Sequence, residues 1–150
     1  MDFLMKGAEN ERRSYLDTLR DNKAQTVITF FCPHCWKEIK RDDKKCPRCG
    51  ADVTEHEKRC FEEKLINALK HPERETVQRA VWILGRLKCT DAVKPLINLF
   101  EGSDDPYLKV TILYALSEIA TPEAVGFITR STDSTISMVK KNAKDIIGRL

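Results

Sequence analysis

The 150-residue sequence lacks the marks of an exported or membrane-spanning protein. Its N-terminal stretch, MDFLMKGAENERRSYL, has no long apolar run of the signal-peptide kind. No apolar stretch approaches the roughly 20 residues of a membrane-spanning helix. The net charge is only +3, and neither a basic nor an acidic tail stands out. These absences predict a cytoplasmic protein with no membrane partner.

The sequence also lacks the common catalytic motifs. It contains no G-x-S-x-G nucleophile motif, no phosphate-binding glycine loop and no His-x-x-x-His pair. Asp104 and Asp105 stand directly before a proline, which is typical of a helix start rather than of an acid–base pair. His71 precedes Pro72 and is expected in a solvated loop. We therefore expect a protein that is not an enzyme.

Cysteine, by contrast, is abundant, and four of the six cysteines lie within the 18 residues from Cys32 to Cys49. In a reducing compartment such clustering indicates metal or redox chemistry. The segments C-P-H-C and C-P-R-C are separated by ten charged, turn-like residues, too few for the framework of a thioredoxin-like oxidase. Two such knuckles supply the four thiolates of a closed, structural zinc shell. Iron is the alternative metal.

Residues 31–53, FCPHCWKEIKRDDKKCPRCGADV, resemble the short prokaryotic zinc ribbon, CPxCGKxIxxxxxxCPxCGxxL. The resemblance implies one structural zinc ion per chain, held by Cys32, Cys35, Cys46 and Cys49. A strand is expected at Val27–Phe31, and a positive φ at Gly50. Trp36 stands where the family usually has glycine, so its indole would lie beside the metal, packed on the knuckle or presented to a partner. His34 and His56 are expected to be exposed, and Cys60 and Cys89 to be small buried residues.

The rest of the chain repeats. Three windows align at spacings of 32 and 31 residues: TVQRAVWILGRL (76–87), LKVTILYALSEI (108–119) and VKKNAKDIIGRL (139–150). Their apolar residues recur at three- and four-residue steps, so each is predicted to be a helix. A shorter helix is predicted before each window, over 64–72, 94–102 and Glu123–Arg130. Asp105 and Thr121, each followed by proline, are predicted N-caps.

These repeats resemble HEAT-like repeats of the phycobilisome-lyase type, DAVxPLIxLLxDxDxxVRxxAxxALGxI, over about residues 60–150. The resemblance implies a short α-solenoid that acts as a scaffold, and it does not imply lyase activity. The predicted fold is mostly α: three HEAT-like helix pairs with a small N-terminal β zinc ribbon. The predicted domains are an N-terminal helical segment (1–25), the ribbon (26–54) and the repeat domain (55–150). Either of the first two is expected to cover the first helix pair, while the charged Lys140 and Lys144 are expected to form a cap at the other end.

The second helices of the pairs are expected to share a partner-binding face, because solenoids bind through such surfaces. On this face lie four residues of the types enriched in binding hot spots: Arg79, Trp82, Arg86 and Tyr114. Trp36 on the ribbon is a further candidate. The alternative, that Trp82 and Tyr114 pack inside the core, is left open by the sequence.

The predicted function is that of a protein–protein interaction adaptor or accessory subunit. The alternative is that the chain is a nucleic-acid-binding or regulatory zinc-ribbon protein. It is disfavoured because the six basic and four acidic residues of 31–53, together with the negative charge of a zinc tetrathiolate, give a neutral module. A thiol redox sensor is a third reading. No pattern indicates the partner's identity or self-association.

Overall fold

The computed structural model describes residues 29–150, and residues 31–150 form one compact unit. A two-stranded sheet, β1 (Phe30–Phe31) and β2 (Glu38–Ile39), comes first. Seven α-helices follow within these residues: α1 (Thr54–Glu57), α2 (Phe61–Ala68), α3 (Arg74–Arg86), α4 (Val93–Gly102), α5 (Pro106–Ile119), α6 (Pro122–Ser131) and α7 (Ser137–Ile147). A 3₁₀ turn, Thr90–Ala92, leads into α4. The expected helical segment at 1–25 and the start of the strand at Val27 lie outside the described residues.

Helices α2 to α7 form three successive helix pairs, as the repeat pattern predicts. The second helices α3, α5 and α7 pack side by side, and α2, α4 and α6 pack against them. Their apolar faces enclose one continuous core that includes Leu84, Leu96, Leu113, Ile128 and Val139. The predicted mostly α solenoid with a small β element is therefore confirmed. None of the helices in this part of the chain has both the length and the apolar character needed to cross a bilayer.

The predicted helix starts are confirmed by their hydrogen bonds. The Asp105 carboxylate accepts from the backbone N–H of Tyr107 at 3.0 Å, and α5 begins at the proline that follows. The Thr121 hydroxyl accepts from the N–H of Ala124 at 3.2 Å, again directly before a proline. In both places the side chain satisfies an N–H that has no partner inside the helix. Turn chemistry therefore sets where two of the six repeat helices begin.

Asp105 also joins two pairs. Its second carboxylate oxygen lies 2.7 Å from the guanidinium of Arg74 at the start of α3. The same side chain thus caps α5 and contacts the N-terminal turn of α3. This arrangement fixes the relative position of the second helices of the first two pairs at their N-terminal ends.

Helices α3 and α5 approach each other closely at Gly85. A Cβ placed on Gly85 would lie 2.8 Å from the Cα of Ala115 and 3.0 Å from its Cβ. Real side chains do not approach this closely, so only glycine permits the crossing as it stands. The two residues are buried and form the floor of a groove between the helices.

The distribution of lysines on α7 agrees with the predicted end of the stack. Val81 on α3 and Leu113 on α5 are fully buried, whereas Lys144, at the aligned position on α7, is exposed. Lys140, one turn earlier, is exposed as well. A face that packs on a following repeat is expected to be apolar, so the position of α7 at the end of the stack stays a prediction.

Candidate metal centre and docking groove

The two C-x-x-C segments bring four sulfur atoms into one cluster. The ligand atoms of Cys32, Cys35, Cys46 and Cys49 all lie within 4.8 Å of one another. The Cys32 and Cys49 sulfurs are 3.7 Å apart, and those of Cys35 and Cys46 are 3.6 Å apart. None of the four forms a disulfide bond. A tetrahedral shell with metal–sulfur bonds near 2.3 Å places its sulfurs about 3.8 Å apart, so the cluster fits a four-thiolate metal site.

The two knuckles share one backbone pattern, which explains why their sulfurs converge. In the first, the N–H of Trp36 donates to the carbonyl of Cys32 at 2.8 Å; in the second, the N–H of Gly50 donates to the carbonyl of Cys46 at 2.9 Å. Both closing residues have positive φ, 56° for Trp36 and 72° for Gly50. The prediction for Gly50 is confirmed. Trp36 adopts the same conformation without being glycine, at a cost of roughly 1–2 kcal/mol.

Backbone N–H groups also set the electrostatics of the thiols. The N–H of Cys49 bonds to the sulfur of Cys46, and this bond is the largest influence that lowers the pKa of Cys46 to about 6. For Cys49 the N–H of Ala51 acts in the same direction, but burial and the neighbouring thiols outweigh it and raise the pKa of Cys49 to about 12.

The first knuckle rests on the first helix pair. The side-chain amide of Asn67, near the end of α2, donates to the carbonyl of Pro33 at 2.9 Å. The ring of Trp36 meets the imidazole of His71 edge-on, with centroids 4.7 Å apart, and Phe31 meets the same imidazole at 6.0 Å. His71 lies in the turn between α2 and α3. These contacts attach the cysteine cluster to the repeat domain through one amide and one aromatic cluster.

Three sequence expectations change here. His71 is half-buried and in contact with two aromatic rings, so the solvated-loop assignment is wrong. Cys60 is exposed at the start of α2 and is not a small core residue, because its place is the N-cap, whose backbone N–H donates to Glu63. His56 is half-buried rather than exposed, and burial, with nearby Arg59 and Lys64, lowers its pKa. The exposure of His34 and the burial of Cys89 are confirmed.

The candidate partner-binding residues divide between two places. Trp36 packs half-buried on His71. The other four lie on or beside a groove between α3 and α5, which we call the docking groove. It encloses about 370 Å³ and is lined by Trp82, Gly85, Arg86, Thr111, Tyr114, Ala115 and Glu118. Arg79 is exposed on α3 one turn before Trp82.

The two aromatic rings of the docking groove face solvent. Trp82 is 62% exposed and Tyr114 is 42% exposed, so the alternative that they form core is wrong. The Tyr114 hydroxyl donates to the amide oxygen of Asn142 on α7 at 3.1 Å, which holds the phenol ring in place. Whether a partner binds at Arg79, Trp82, Arg86 and Tyr114 stays a prediction. The groove floor was not predicted from the sequence, because no local pattern distinguishes Gly85 from an ordinary helix residue.

Comparison with known proteins gives a family for the helical part. A family model described as HEAT repeats matches residues 62–145. The matched range begins in α2 and ends in α7, so it covers nearly all of the three helix pairs. No curated protein and no solved structure matches the chain significantly. The finer resemblances, to phycobilisome-lyase repeats and to the zinc ribbon, stay predictions.

Proposed function

The chain belongs to the HEAT-repeat family, and from that premise we propose that it is a cytoplasmic, non-enzymatic adaptor or accessory subunit that holds another protein in its docking groove. The observation that carries the proposal is the exposed pair Trp82 and Tyr114 on either side of a preformed depression. Tryptophan and tyrosine are enriched among the residues that dominate binding energy. Large aromatic side chains exposed together on a soluble surface are typical of interaction sites.

The rigidity of the groove supports the same function. Its floor is the close crossing at Gly85 and Ala115, and one of its walls is held by the bond from Tyr114 to Asn142. A site that is already formed loses little conformational entropy when a partner binds. The groove therefore suits an adaptor, whose contribution is binding rather than chemistry.

We propose that the cysteine cluster holds one zinc ion. Zinc accepts four thiolates in a tetrahedral shell, and such a shell has no open position for substrate, so the role is structural. A module of this size buries too little apolar surface to fold alone and gains its stability from the metal. Cys32, Cys35, Cys46 and Cys49 would be the ligands. Iron would fit the same sulfurs, and metal analysis of purified protein separates the two.

Nucleic acid is the less favoured partner. Arginine beside exposed aromatic rings can form a stacking platform for single strands. Glu118, however, lies in the wall of the groove, and Asp145 is exposed on the neighbouring α7. Strong phosphate binding requires a continuous positive track, which these carboxylates interrupt.

The proposal is tested by capture of partners from the native cytosol after nuclease treatment. The wild-type chain is compared with a Trp82→Ala/Tyr114→Ala variant and with Phe61→Ala. Phe61 is 57% exposed and lies outside the groove, so it controls for loss of an exposed aromatic ring. Proteins retained by the wild type and by Phe61→Ala should be lost from the double variant, whose circular dichroism should be unchanged. Equal retention by all three would refute the groove as the docking site.

A further inference from the structure

Resting on the proposed docking function, we infer that the docking groove selects an acidic peptide segment. One apolar side chain of the segment enters between Trp82 and Tyr114. Neighbouring carboxylates pair with the guanidinium groups of Arg79 and Arg86 on α3. The inference concerns the chemistry of the partner, and it follows from how charge is arranged around the groove.

Helix α3 presents Arg79, Trp82 and Arg86 along one face, because they are spaced by three and then four residues. The helical rise puts the two arginines about 10 Å apart along the axis, one on each side of the indole. Both are exposed. The wall that α3 contributes is therefore an aromatic ring flanked by two positive charges.

Neither arginine is neutralised within the part of the chain that the structure describes. Across residues 29–150 the one ion pair within 4.0 Å joins Arg74 to Asp105, at the far end of α3. Glu118 lines the groove together with Arg86 yet does not pair with it. Glu75, one turn before Arg79, does not pair either. Two guanidinium groups, each able to bind a carboxylate in bidentate fashion, are thus available to a partner.

The wall that α5 contributes determines how the bound segment is oriented in the groove. Helix α5 contributes Thr111, Tyr114 and Glu118. The Tyr114 hydroxyl is engaged by Asn142, so the residue presents its ring to the groove. Glu118 can accept hydrogen bonds only, and it therefore faces N–H groups or a basic side chain of the partner. The segment that fits carries its carboxylates toward α3 and its donors toward α5.

The size of the groove limits what enters it. A volume of about 370 Å³ lies at the low end of the range for ligand pockets, about 300–1,000 Å³. It accommodates one large apolar side chain with its adjacent backbone, rather than a folded surface. A short segment with an apolar anchor and acidic neighbours satisfies the aromatic pair and the two arginines together.

The test is a selection from a random 16-residue peptide library displayed on phage, with the zinc-loaded full chain as bait. Peptides that bind the wild type but not Trp82→Ala/Tyr114→Ala are sequenced. We expect them to carry Asp or Glu within four residues of Leu, Ile, Phe or Trp. Synthetic versions should bind R79E/R86E at least about tenfold more weakly, since like charges replace both attractions. R79K/R86K should retain most of the binding, and added salt should weaken it.

The outcomes separate this inference from the function on which it rests. Groove-dependent peptides without acidic enrichment, or with equal affinity for R79E/R86E, overturn the acidic inference and leave the docking function standing. A selection with no groove-dependent peptide overturns both. A 20-nucleotide oligo-dT probe is titrated in parallel. If it binds the wild type and is lost with Trp82→Ala/Tyr114→Ala, the ligand is nucleic acid and the peptide inference is wrong.

Discussion

Replacing Gly85 with alanine tests the helix crossing that shapes the groove. The new methyl group would lie 2.8 Å from the Cα of Ala115, a backbone atom that cannot turn aside as a flexible side chain would. Relief requires α3 and α5 to move apart, and overpacking of this kind costs about 1–3 kcal/mol. Alanine favours the helix over glycine by about 1 kcal/mol, which offsets part of that cost. We therefore expect a net loss of up to about 2 kcal/mol in the free energy of unfolding.

Gly126 provides the matched control. It lies within α6, and the nearest atom to a Cβ at this position is the terminal nitrogen of Arg130, 3.8 Å away. That is an ordinary contact with the mobile end of a long side chain. Alanine should therefore keep the gain in helix propensity and stabilise the protein by up to about 1 kcal/mol. The same chemical change is thus expected to have opposite signs at the two glycines.

Urea denaturation followed by circular dichroism measures both variants, with zinc held constant in all samples. The midpoint should fall for Gly85→Ala and rise for Gly126→Ala, with unchanged slopes. A Gly85→Ala protein stabilised as much as Gly126→Ala would show that the added methyl group meets no obstacle and would refute the close crossing. It would also remove the structural basis for a rigid groove floor.

Three further outcomes are expected. Asp105→Ala should lower the unfolding free energy by about 1–2 kcal/mol. Asp105→Asn should lower it by less than about 1 kcal/mol, because asparagine keeps the cap and loses only the partly exposed ion pair with Arg74. Equal losses for the two variants in urea denaturation would contradict this expectation. Asn67→Ala should weaken zinc binding about fivefold in a chelator competition, as expected for one lost hydrogen bond of about 1 kcal/mol. Asn98 occupies the same place in the Leu-Ile-Asn triplet of the next repeat, so Asn98→Ala should leave the zinc affinity unchanged. An equal loss of zinc affinity in Asn98→Ala would rule out a specific role for the contact between Asn67 and Pro33. Because the pKa of Cys46 is lowered to about 6, this thiol should already be ionised at pH 7.5. Zinc added at that pH should therefore release fewer than four protons per ion, as measured in a pH-stat. Release of four protons would show that the Cys46 thiol is still protonated.

The cysteine cluster and the helix pairs could be predicted because their causes are local in the sequence. Two residues between each pair of cysteines are enough to close a knuckle, and a ten-residue spacer lets two knuckles meet. Asp105 and Thr121 cap their helices with hydrogen bonds that span two or three residues. Patterns that depend on residues close together in the sequence can be recognised without knowledge of the tertiary structure.

The contacts between distant segments could not be predicted. Asn67 and Asn98 are equivalent in the repeat, yet only Asn67 meets the carbonyl of Pro33, because the knuckle packs against the first pair alone. His71 reads as a turn residue, and its burial depends on two aromatic rings from 35 or more positions earlier in the chain. The groove floor at Gly85 likewise depends on Ala115 from the next repeat. In each case the partner residue is set by packing, which periodicity alone does not specify.

The cysteine cluster and the groove involve different helices of the first pair. The knuckle contacts α2 and the turn that follows it, α2 packs on α3, and α3 carries Trp82 and packs on α5. A terminal repeat of a solenoid lacks a neighbour on one side and needs a covering element to order it. The first knuckle contacts this pair at two points: the Pro33 carbonyl accepts from Asn67 on α2, and the Trp36 ring packs on His71 in the turn after α2. The contact between the indole of Trp36 and His71 offsets part of the strain of the positive φ at this position.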